Sequence, residues 1–204
     1  MMRRTYTTIV FDLGNVLIPF SHNLWIENFN KISEGIGDKF YQKFKDNYNI
    51  HRDYESGKIS DEEIIEIGLE WLEHKVSREQ FLEIYANIFT FNQNVIDLLP
   101  ILKRKYKLIL LSNTSGIHQK YGWEKYSFIK NFDKLILSHE VGAVKPEEKI
   151  YKAVEEFTLE KSETHIFIDD ILDYVNAAKT LGWDGIQFVG YENLENEFKL
   201  RNIL

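Results

Sequence analysis

The chain has 204 residues, a formal net charge of −7, 44% hydrophobic residues and no cysteine. The apolar content suffices for a packed core and excludes a wholly disordered chain, while the lack of cysteine excludes disulfide frameworks, thiolate zinc sites and cysteine nucleophiles. The negative charge argues against general binding to nucleic acid or to an acidic membrane surface. Residues 1–4 form a short basic start, but the run over residues 5–11 is too short and too polar for a signal peptide. No stretch approaches the ~20 apolar residues of a membrane span, so we expect a cytoplasmic protein.

Five short apolar runs predict buried strands. The first, Thr8–Phe11, stops at the turn-forming sequence Asp12-Leu13-Gly14-Asn15. The other runs are Leu108–Leu111, Leu135–Leu137, His165–Ile168 and Gly185–Val189. Because these runs are continuously apolar and do not alternate with polar residues, they indicate strands covered on both faces, as in a parallel sheet.

Helical patterns lie between these runs. Their apolar positions are, in chain order, Val95, Leu98, Leu99 and Leu102; Ile150, Val154 and Phe157; and Val175, Ala178 and Leu181. We expect Pro100 to kink the first helix or to lie in its first turn, Pro146 to lie in the first turn of the second, and Gly182 to end the third. Strands that alternate with helices predict an α/β fold with a doubly wound, Rossmann-like parallel sheet.

Residues 19–91 break this alternation, since they contain helical patterns and no buried strand. Ser60 with Glu63, and Ser77 with Gln80, predict capping boxes that open two helices. The apolar faces of this segment are Trp25, Phe29, Ile32 and Ile36; Ile64, Ile67 and Trp71; and Phe81, Ile84, Tyr85 and Ile88. We therefore expect an α/β core over residues 1–18 and 92–204, an inserted helical domain over 19–91, and hinges near 17–20 and 91–94.

Polar residues come directly after the predicted strands at their carboxyl ends, where open parallel sheets bind ligands. They are Asp12, Ser112, Asn113, Asp169 and Asp170, and Lys145 comes one loop after the third strand. Carboxylates held close together repel one another unless a hard divalent cation lies among them, and Mg²⁺ takes one or two carboxylates together with phosphate oxygens. The pattern predicts a site for Mg²⁺ and phosphate. The six histidines show no ligand spacing for zinc.

Four segments in a fixed order carry a resemblance to a known family. They are Val10–Leu17, Leu110–Thr114, Ser138–Pro146 and Phe167–Gly182. Together they resemble the motifs of the haloacid dehalogenase-like hydrolases, and the resemblance covers almost the entire chain. Residues 19–91 resemble the helical cap of that family. Within them, Glu55–Ser60 is similar to a cap segment of the subgroup of sugar 1-phosphate phosphatases.

The resemblance implies a phosphatase in which Asp12 attacks phosphorus to form an aspartyl-phosphate. It implies that the Asp12 carboxylate, the Gly14 carbonyl and Asp170 hold Mg²⁺, which offsets the repulsion between the two anions. Asp169 is expected to orient metal-bound water or Lys145 from beside the metal.

The resemblance also implies how the phosphoryl group is held. Ser112, Asn113 and nearby backbone amides are expected to bind it, helped by the helix that begins after Ser112. Lys145 is expected to add positive charge to the same group and to keep Asp12 ionised. The substrate is expected to be a small phosphorylated metabolite. The residues to which the resemblance gives catalytic roles are Asp12, Ser112, Lys145 and Asp170.

Two positions depart from the family pattern. Gly14 stands where active phosphatases carry a second Asp as general acid, a role worth about 10²- to 10⁴-fold. Its absence favours a leaving group that needs little protonation, such as the anomeric oxygen of a sugar 1-phosphate. Tyr174 stands where Asp or Asn usually comes four residues after Asp170. His118 is either a substrate-binding replacement for the missing acid or a packing histidine.

Two alternatives to a phosphatase stay open. A 2-haloacid dehalogenase uses the same Asp to attack carbon without a metal, but the pair Asp169-Asp170 would repel its carboxylate substrate. A non-catalytic binder of a phosphorylated metabolite is motivated by Gly14 and Tyr174. The sequence leaves the identity of the substrate and the oligomeric state open.

Overall fold

A five-stranded, fully parallel sheet forms the centre of the protein; the structure is a computed structural model that describes residues 5–204. The basic start at residues 1–4 lies outside this range. The strands are β1 (Thr8–Phe11), β2 (Lys107–Ser112), β3 (Lys134–Leu137), β4 (His165–Asp169) and β5 (Asp184–Gln187), in the spatial order β3-β2-β1-β4-β5. The doubly wound parallel sheet is confirmed. The fifth strand ends two residues before the predicted Val189, which is exposed.

The central strand β1 pairs with β2 on one side and β4 on the other. Its last residue, Phe11, lies opposite Leu110 and Ile168. The next residue, Asp12, donates its backbone N–H to the Ile168 carbonyl at 2.9 Å. Because all three strands are parallel, their carboxyl ends meet at one edge, and that edge carries Asp12, Ser112 and Asp169.

Helices cover both faces of the sheet. Successive residues of a strand point to opposite faces, so neighbouring residues pack against different helices. The helices of this part of the chain are α6 (Gln93–Ile96), α7 (Leu99–Leu102), α8 (Ser138–Val141), α9 (Glu148–Thr158), α10 (Leu172–Thr180) and α11 (Tyr191–Leu200). Val10 belongs to the apolar cluster that includes α9 and α10, whereas Ile9 and Phe11 belong to the cluster that includes α6, α7 and α11. The sheet is therefore buried on both sides, as its continuous apolar runs predict.

Local features of these helices test the predictions. Pro100 lies in the first turn of α7, and Gly182 comes after α10 with a φ of 94°, as expected. The placement of Pro146 is wrong, because α9 begins at Glu148 and its first turn lies after the proline. Phe157 is also not a core residue: it is 43% exposed, and Tyr151 fills the buried face instead.

Five of the helices between β1 and β2 surround an apolar cluster of their own. They are α1 (Asn23–Asn30), α2 (Ile36–Asp46), α3 (Tyr48–Glu55), α4 (Asp61–Trp71) and α5 (Arg78–Ala86). Both predicted capping boxes are present, at the starts of α4 and α5. A single helical face from Trp25 to Ile36 is wrong, because α1 ends at Asn30, Gly35 takes a positive φ of 74° and Ile36 begins a new helix. The domain boundaries at residues 19 and 91 stay a prediction.

The chain enters and leaves this helical insertion through two segments that run side by side. Ser21 N donates to the Ile88 carbonyl at 3.1 Å, and Asn92 N donates to the Leu17 carbonyl at 2.9 Å. A separate contact fixes α3 against the core, since Ile117 N donates to the hydroxyl of Tyr54 at 3.1 Å. These bonds hold α3 above the carboxyl edge of the sheet. Within residues 5–204, no helix is both long and apolar enough to cross a membrane.

Candidate active site

A cavity that is partly open to solvent lies between the carboxyl edge of the sheet and the helical insertion. The sequence-predicted residues that line it are Asp12, Gly14, Ser112, Asn113, His118, Lys145 and Asp170. Asp169 does not line the cavity; it is fully buried next to Lys145. The fold thus collects residues from four distant segments of the chain at one place.

Lys145 is the electrostatic centre of the cavity floor. Its Nζ lies 2.7 Å from Asp12 Oδ1 and 2.6 Å from Asp169 Oδ2, and the residue is only 1% exposed. The ring of Tyr174 lies 5.2 Å from the same Nζ. Burial by itself lowers the pKa of Lys145, but the two carboxylates together raise it above its ordinary value. Lys145 is therefore a permanent cation that bridges two acids.

Asp12 is held in a site that does not by itself favour its charge. Burial raises the pKa of Asp12 to about 7, Lys145 acts in the opposite direction, and Asp169 adds to the rise. Lys145 therefore favours the charged form of Asp12, as expected, although burial outweighs it. A further cation beside the carboxylate would lower this pKa again.

Three carboxylates are close enough to share such a cation. Asp12, Asp169 and Asp170 each place an oxygen within 4.8 Å of the others. Asp169 already accepts hydrogen bonds from Lys145 Nζ at 2.6 Å and from Ile171 N at 2.8 Å, one on each oxygen. Asp12 and Asp170 each retain one oxygen without a donor among residues 5–204. The donor set fits Mg²⁺, with Asp12 and Asp170 as the available ligands and Asp169 as the residue that orients Lys145.

Asn113 holds the Lys145 loop with its side chain. Its Oδ1 accepts from Lys145 N at 2.7 Å, and its Nδ2 donates to the Lys145 carbonyl at 3.2 Å. Because the residue also lines the cavity and an amide has two N–H donors, phosphate binding by Asn113 stays a prediction. Ser112 lines the cavity with its hydroxyl 3.3 Å from the Asn113 carbonyl. The next helical turns begin at Gly116.

The turn after β1 contains Gly14, the position of the missing acid. A Cβ atom on Gly14 would lie 3.2 Å from the ring of Phe20, so an apolar ring flanks the space of the missing carboxylate. The Gly14 carbonyl, a predicted metal ligand, accepts from Val16 N at 2.6 Å. Asn15, to which the sequence motifs assign no role, donates from Nδ2 to Asp170 Oδ2 at 3.0 Å and thereby fixes that carboxylate.

His118 lies on the cavity wall and packs against the insertion. Its Nε2 lies 3.2 Å from the Tyr85 carbonyl, and its ring stacks on the ring of Tyr85 with 4.8 Å between centroids. Burial lowers the pKa of His118 to about 3, so the imidazole is neutral at physiological pH. These contacts favour the packing alternative, and substrate binding by His118 stays a prediction.

Sequence reasoning missed the residues that the insertion contributes to the cavity. Those with polar side chains are His22, Tyr48, His51, Arg52 and Glu55, of which the last four lie on α3. The Arg52 guanidinium donates to the Lys145 carbonyl at 3.3 Å, which joins α3 to the catalytic loop. The similarity of Glu55–Ser60 to a recurrent cap segment is the signal that could have pointed to α3.

Comparison with known proteins identifies the family. Residues 9–189 match the model of the haloacid dehalogenase-like hydrolase family. The chain belongs to that family. It is 25% identical over 187 residues to D-ribitol-5-phosphate phosphatase of Bacteroides thetaiotaomicron, covering 88% of this chain and 90% of that one. It is also 25% identical over 187 residues to a phosphorylated carbohydrates phosphatase of Thermotoga maritima, covering 87% and 82%.

A solved structure of the same family has a closely similar fold. It is a family enzyme from Bacteroides thetaiotaomicron in complex with magnesium and inorganic phosphate. Its TM-score with this chain is 0.77 at 30% identity, over 89% of this chain and 93% of the other. The family resemblance inferred from the four segments is confirmed, and with it the expectation of a hydrolase.

Proposed function

We propose that this protein is a magnesium-dependent phosphomonoester hydrolase that acts on a small phosphorylated metabolite. The observation that carries the proposal is the buried Lys145, which bridges Asp12 and Asp169 beside a third carboxylate, Asp170. Such a floor combines a nucleophile, a fixed cation and a metal donor set. Relatives named as phosphatases, and a family enzyme crystallised with magnesium and phosphate, support the same chemistry.

The chain's own residues divide the reaction into two steps. The Asp12 carboxylate attacks phosphorus, the bond to the leaving oxygen breaks, and an aspartyl-phosphate forms; water then releases phosphate and restores Asp12. Lys145 binds the charge on the phosphoryl oxygens from a fixed, desolvated position. Magnesium, when held by Asp12, Asp170 and the Gly14 carbonyl, offsets the repulsion between carboxylate and phosphate.

Two substrate types are the candidates. Gly14 leaves the protein without the usual general acid, which favours the more acidic anomeric oxygen of a sugar 1-phosphate. The name of the relative D-ribitol-5-phosphate phosphatase favours an alditol phosphate. Either substrate would contact the same walls above the phosphate site. These walls are formed by the ring of Phe20 beside Gly14 and by the polar residues of α3.

The two rival functions fit the geometry less well. A dehalogenase would bring a substrate carboxylate to a floor that already holds three carboxylates and one ammonium group. A non-catalytic binder is motivated by Tyr174, whose ring lies over Lys145 where the family has Asp or Asn. A binder does not use the pairing of Asp12 with Lys145 for chemistry, and a dehalogenase does not use the metal donor set beside that pair.

A panel of phosphate monoesters tests the proposal. We expect glucose 1-phosphate, ribitol 5-phosphate or a related ester to be hydrolysed with Mg²⁺ and not with EDTA. Asp12→Asn should abolish turnover, whereas Asp97→Asn, which alters an exposed acid outside the cavity, should not. Faster cleavage of glucose 6-phosphate than of glucose 1-phosphate would remove the argument from Gly14. Halide release in EDTA would identify a dehalogenase, and tight binding without turnover would identify a binder.

A further inference from the structure

Glu55 is a nearly buried carboxylate on the insertion side of the cavity. It is the last residue of α3, lines the cavity together with Tyr48, His51 and Arg52, and has a side chain that is only 13% exposed. It plays no part in the phosphate chemistry described above. Its position places it where the part of the substrate beyond the phosphate must lie.

The carboxylate of Glu55 is charged but poorly hydrogen-bonded. Burial by itself raises its pKa, but His51 and Arg52 together lower it below its ordinary value. The distances are long: His51 Nε2 lies at 3.4 Å and Arg52 Nη1 at 3.7 Å, and no donor in residues 5–204 comes closer. A carboxylate has about four acceptor sites and strong bonds to it measure about 2.7–2.9 Å. Glu55 therefore offers unsatisfied hydrogen-bond acceptors to the cavity. Burying a carboxylate without hydrogen bonds costs free energy, which a donor on a ligand would recover.

The surrounding groups offset this negative charge only in part, because Arg52 Nη1 lies 3.7 Å from the Glu55 carboxylate. The Arg52 guanidinium is tied to the Lys145 carbonyl at 3.3 Å. Two further histidines face the same region, and burial lowers the pKa of His22 to about 4 and that of His118 to about 3, so both are neutral. Nδ1 of His51 is buried without a hydrogen-bond partner among residues 5–204. Hydroxyl groups can donate to Glu55, whereas a second carboxylate meets repulsion there.

We propose that Glu55 determines the specificity of this enzyme by accepting hydrogen bonds from hydroxyl groups of the leaving alcohol. The preferred substrates are phosphate esters of uncharged, polyhydroxylated alcohols, and esters whose leaving group carries a carboxylate are rejected. This inference rests on the proposed phosphatase function and adds the residue that selects the substrate. His51 and Arg52 act as positioning residues for the carboxylate.

The test compares Glu55→Gln with the unmodified protein on four esters in the presence of Mg²⁺. Ribitol 5-phosphate and glucose 1-phosphate carry hydroxyl groups, p-nitrophenyl phosphate carries none, and 2-phosphoglycolate carries a carboxylate. Glutamine keeps the shape of the side chain and removes its charge. The matched control is Asp53→Asn, which alters a half-exposed acid of the same helix that pairs with Lys58 outside the cavity.

We expect kcat/KM for the two hydroxylated esters to fall by about 10- to 100-fold in Glu55→Gln, because a hydrogen bond to a charged group is replaced by a weaker one. Turnover of p-nitrophenyl phosphate should stay unchanged and turnover of 2-phosphoglycolate should rise. Asp53→Asn should leave all four rates unchanged. A second test uses the unmodified protein and deoxy analogues of whichever hydroxylated ester is the better substrate. Their kcat/KM should be lower than that of the parent ester by a similar factor.

If Glu55→Gln leaves kcat/KM unchanged for all four esters, or lowers it equally for all four, the proposed role of Glu55 is overturned. That result leaves the phosphatase function intact, since p-nitrophenyl phosphate reports it independently. If the unmodified protein hydrolyses none of the four esters with Mg²⁺, the proposed function fails and the specificity inference fails with it.

Discussion

Replacing Lys145 with methionine removes the cation that bridges Asp12 and Asp169 and keeps a flexible side chain in its place. Both carboxylates stay buried, at 7% and 0% exposure, and lose contacts of 2.7 and 2.6 Å to Nζ. Removing one partner of a buried ion pair costs about 3–5 kcal/mol, because a charge is left uncompensated. For a chain of this size each kcal/mol corresponds to about 2–4 °C in Tm, so we expect a fall of roughly 6–20 °C.

The loss should depend on pH in a defined direction. At pH 5 the two acids can take up protons in the folded variant. Burial raises the pKa of each, and so does a neighbouring carboxylate, which is Asp169 for Asp12 and Asp170 for Asp169. At pH 8 the two carboxylates stay deprotonated and charged in the folded variant, so the destabilisation should be larger. Added Mg²⁺ should recover part of the loss by supplying positive charge, while turnover should still fall by about 10²- to 10³-fold.

Thermal unfolding by circular dichroism, in EDTA and in Mg²⁺, measures these effects. The control is Lys152→Met, which removes an exposed lysine paired with Glu155 on α9. Its cost should be about 0.5 kcal/mol or less, as for other surface changes. If Lys145→Met costs no more than the control, or costs the same at pH 5 and pH 8, the reasoning about a cation between two buried acids is refuted.

Two further predictions concern the unmodified site and the helical insertion. Burial raises the folded-state pKa of Asp12 from 3.8 to about 7, so the folded protein keeps a proton that the unfolded chain releases, and this stabilisation is present below about pH 4 and lost as pH rises through about 7. In EDTA, the contribution of Asp12 to the Tm measured by calorimetry should therefore fall between pH 4 and pH 8. In saturating Mg²⁺ this dependence on pH should become weaker. A contribution that rises with pH would contradict a raised pKa for Asp12. Gly37→Ala would place a Cβ 2.3 Å from the Ile26 carbonyl oxygen and should cost about 1–3 kcal/mol in urea unfolding. Lys45→Ala, an exposed change on the same helix, should be nearly neutral, and equal costs for the two would exclude tight packing of α1 against α2.

Local patterns predict much of the fold because their causes are local. Short apolar runs identify the strands, since a strand buried on both faces is apolar over most of its length. The capping boxes at Ser60 and Ser77 identify two helix starts, because each involves atoms only three residues apart. The polar residues at the ends of β1, β2 and β4 predict the place of the site, because parallel strands end at the same edge.

Where prediction fails, a distant contact decides. The face of α9 is set by what packs on it, so Tyr151 is buried and Phe157 is not. The single helical face expected from Trp25 to Ile36 is interrupted, because α1 ends at Asn30 and Gly35, with a positive φ, precedes α2; apolar spacing does not reveal this. The sequence also does not reveal that the Asn113 side chain holds the backbone of Lys145.

The sequence by itself determined the strands, the family and the residues at the floor of the site, because each of these depends on residue type at fixed local spacing. Only the tertiary structure decided what the residues do to one another: that Lys145 bridges Asp12 and Asp169, that His118 is buried and neutral, and that Glu55 of α3 reaches the cavity. The physical reason is that charge and hydrogen bonding depend on burial and on partners far apart in the chain, which packing alone brings together.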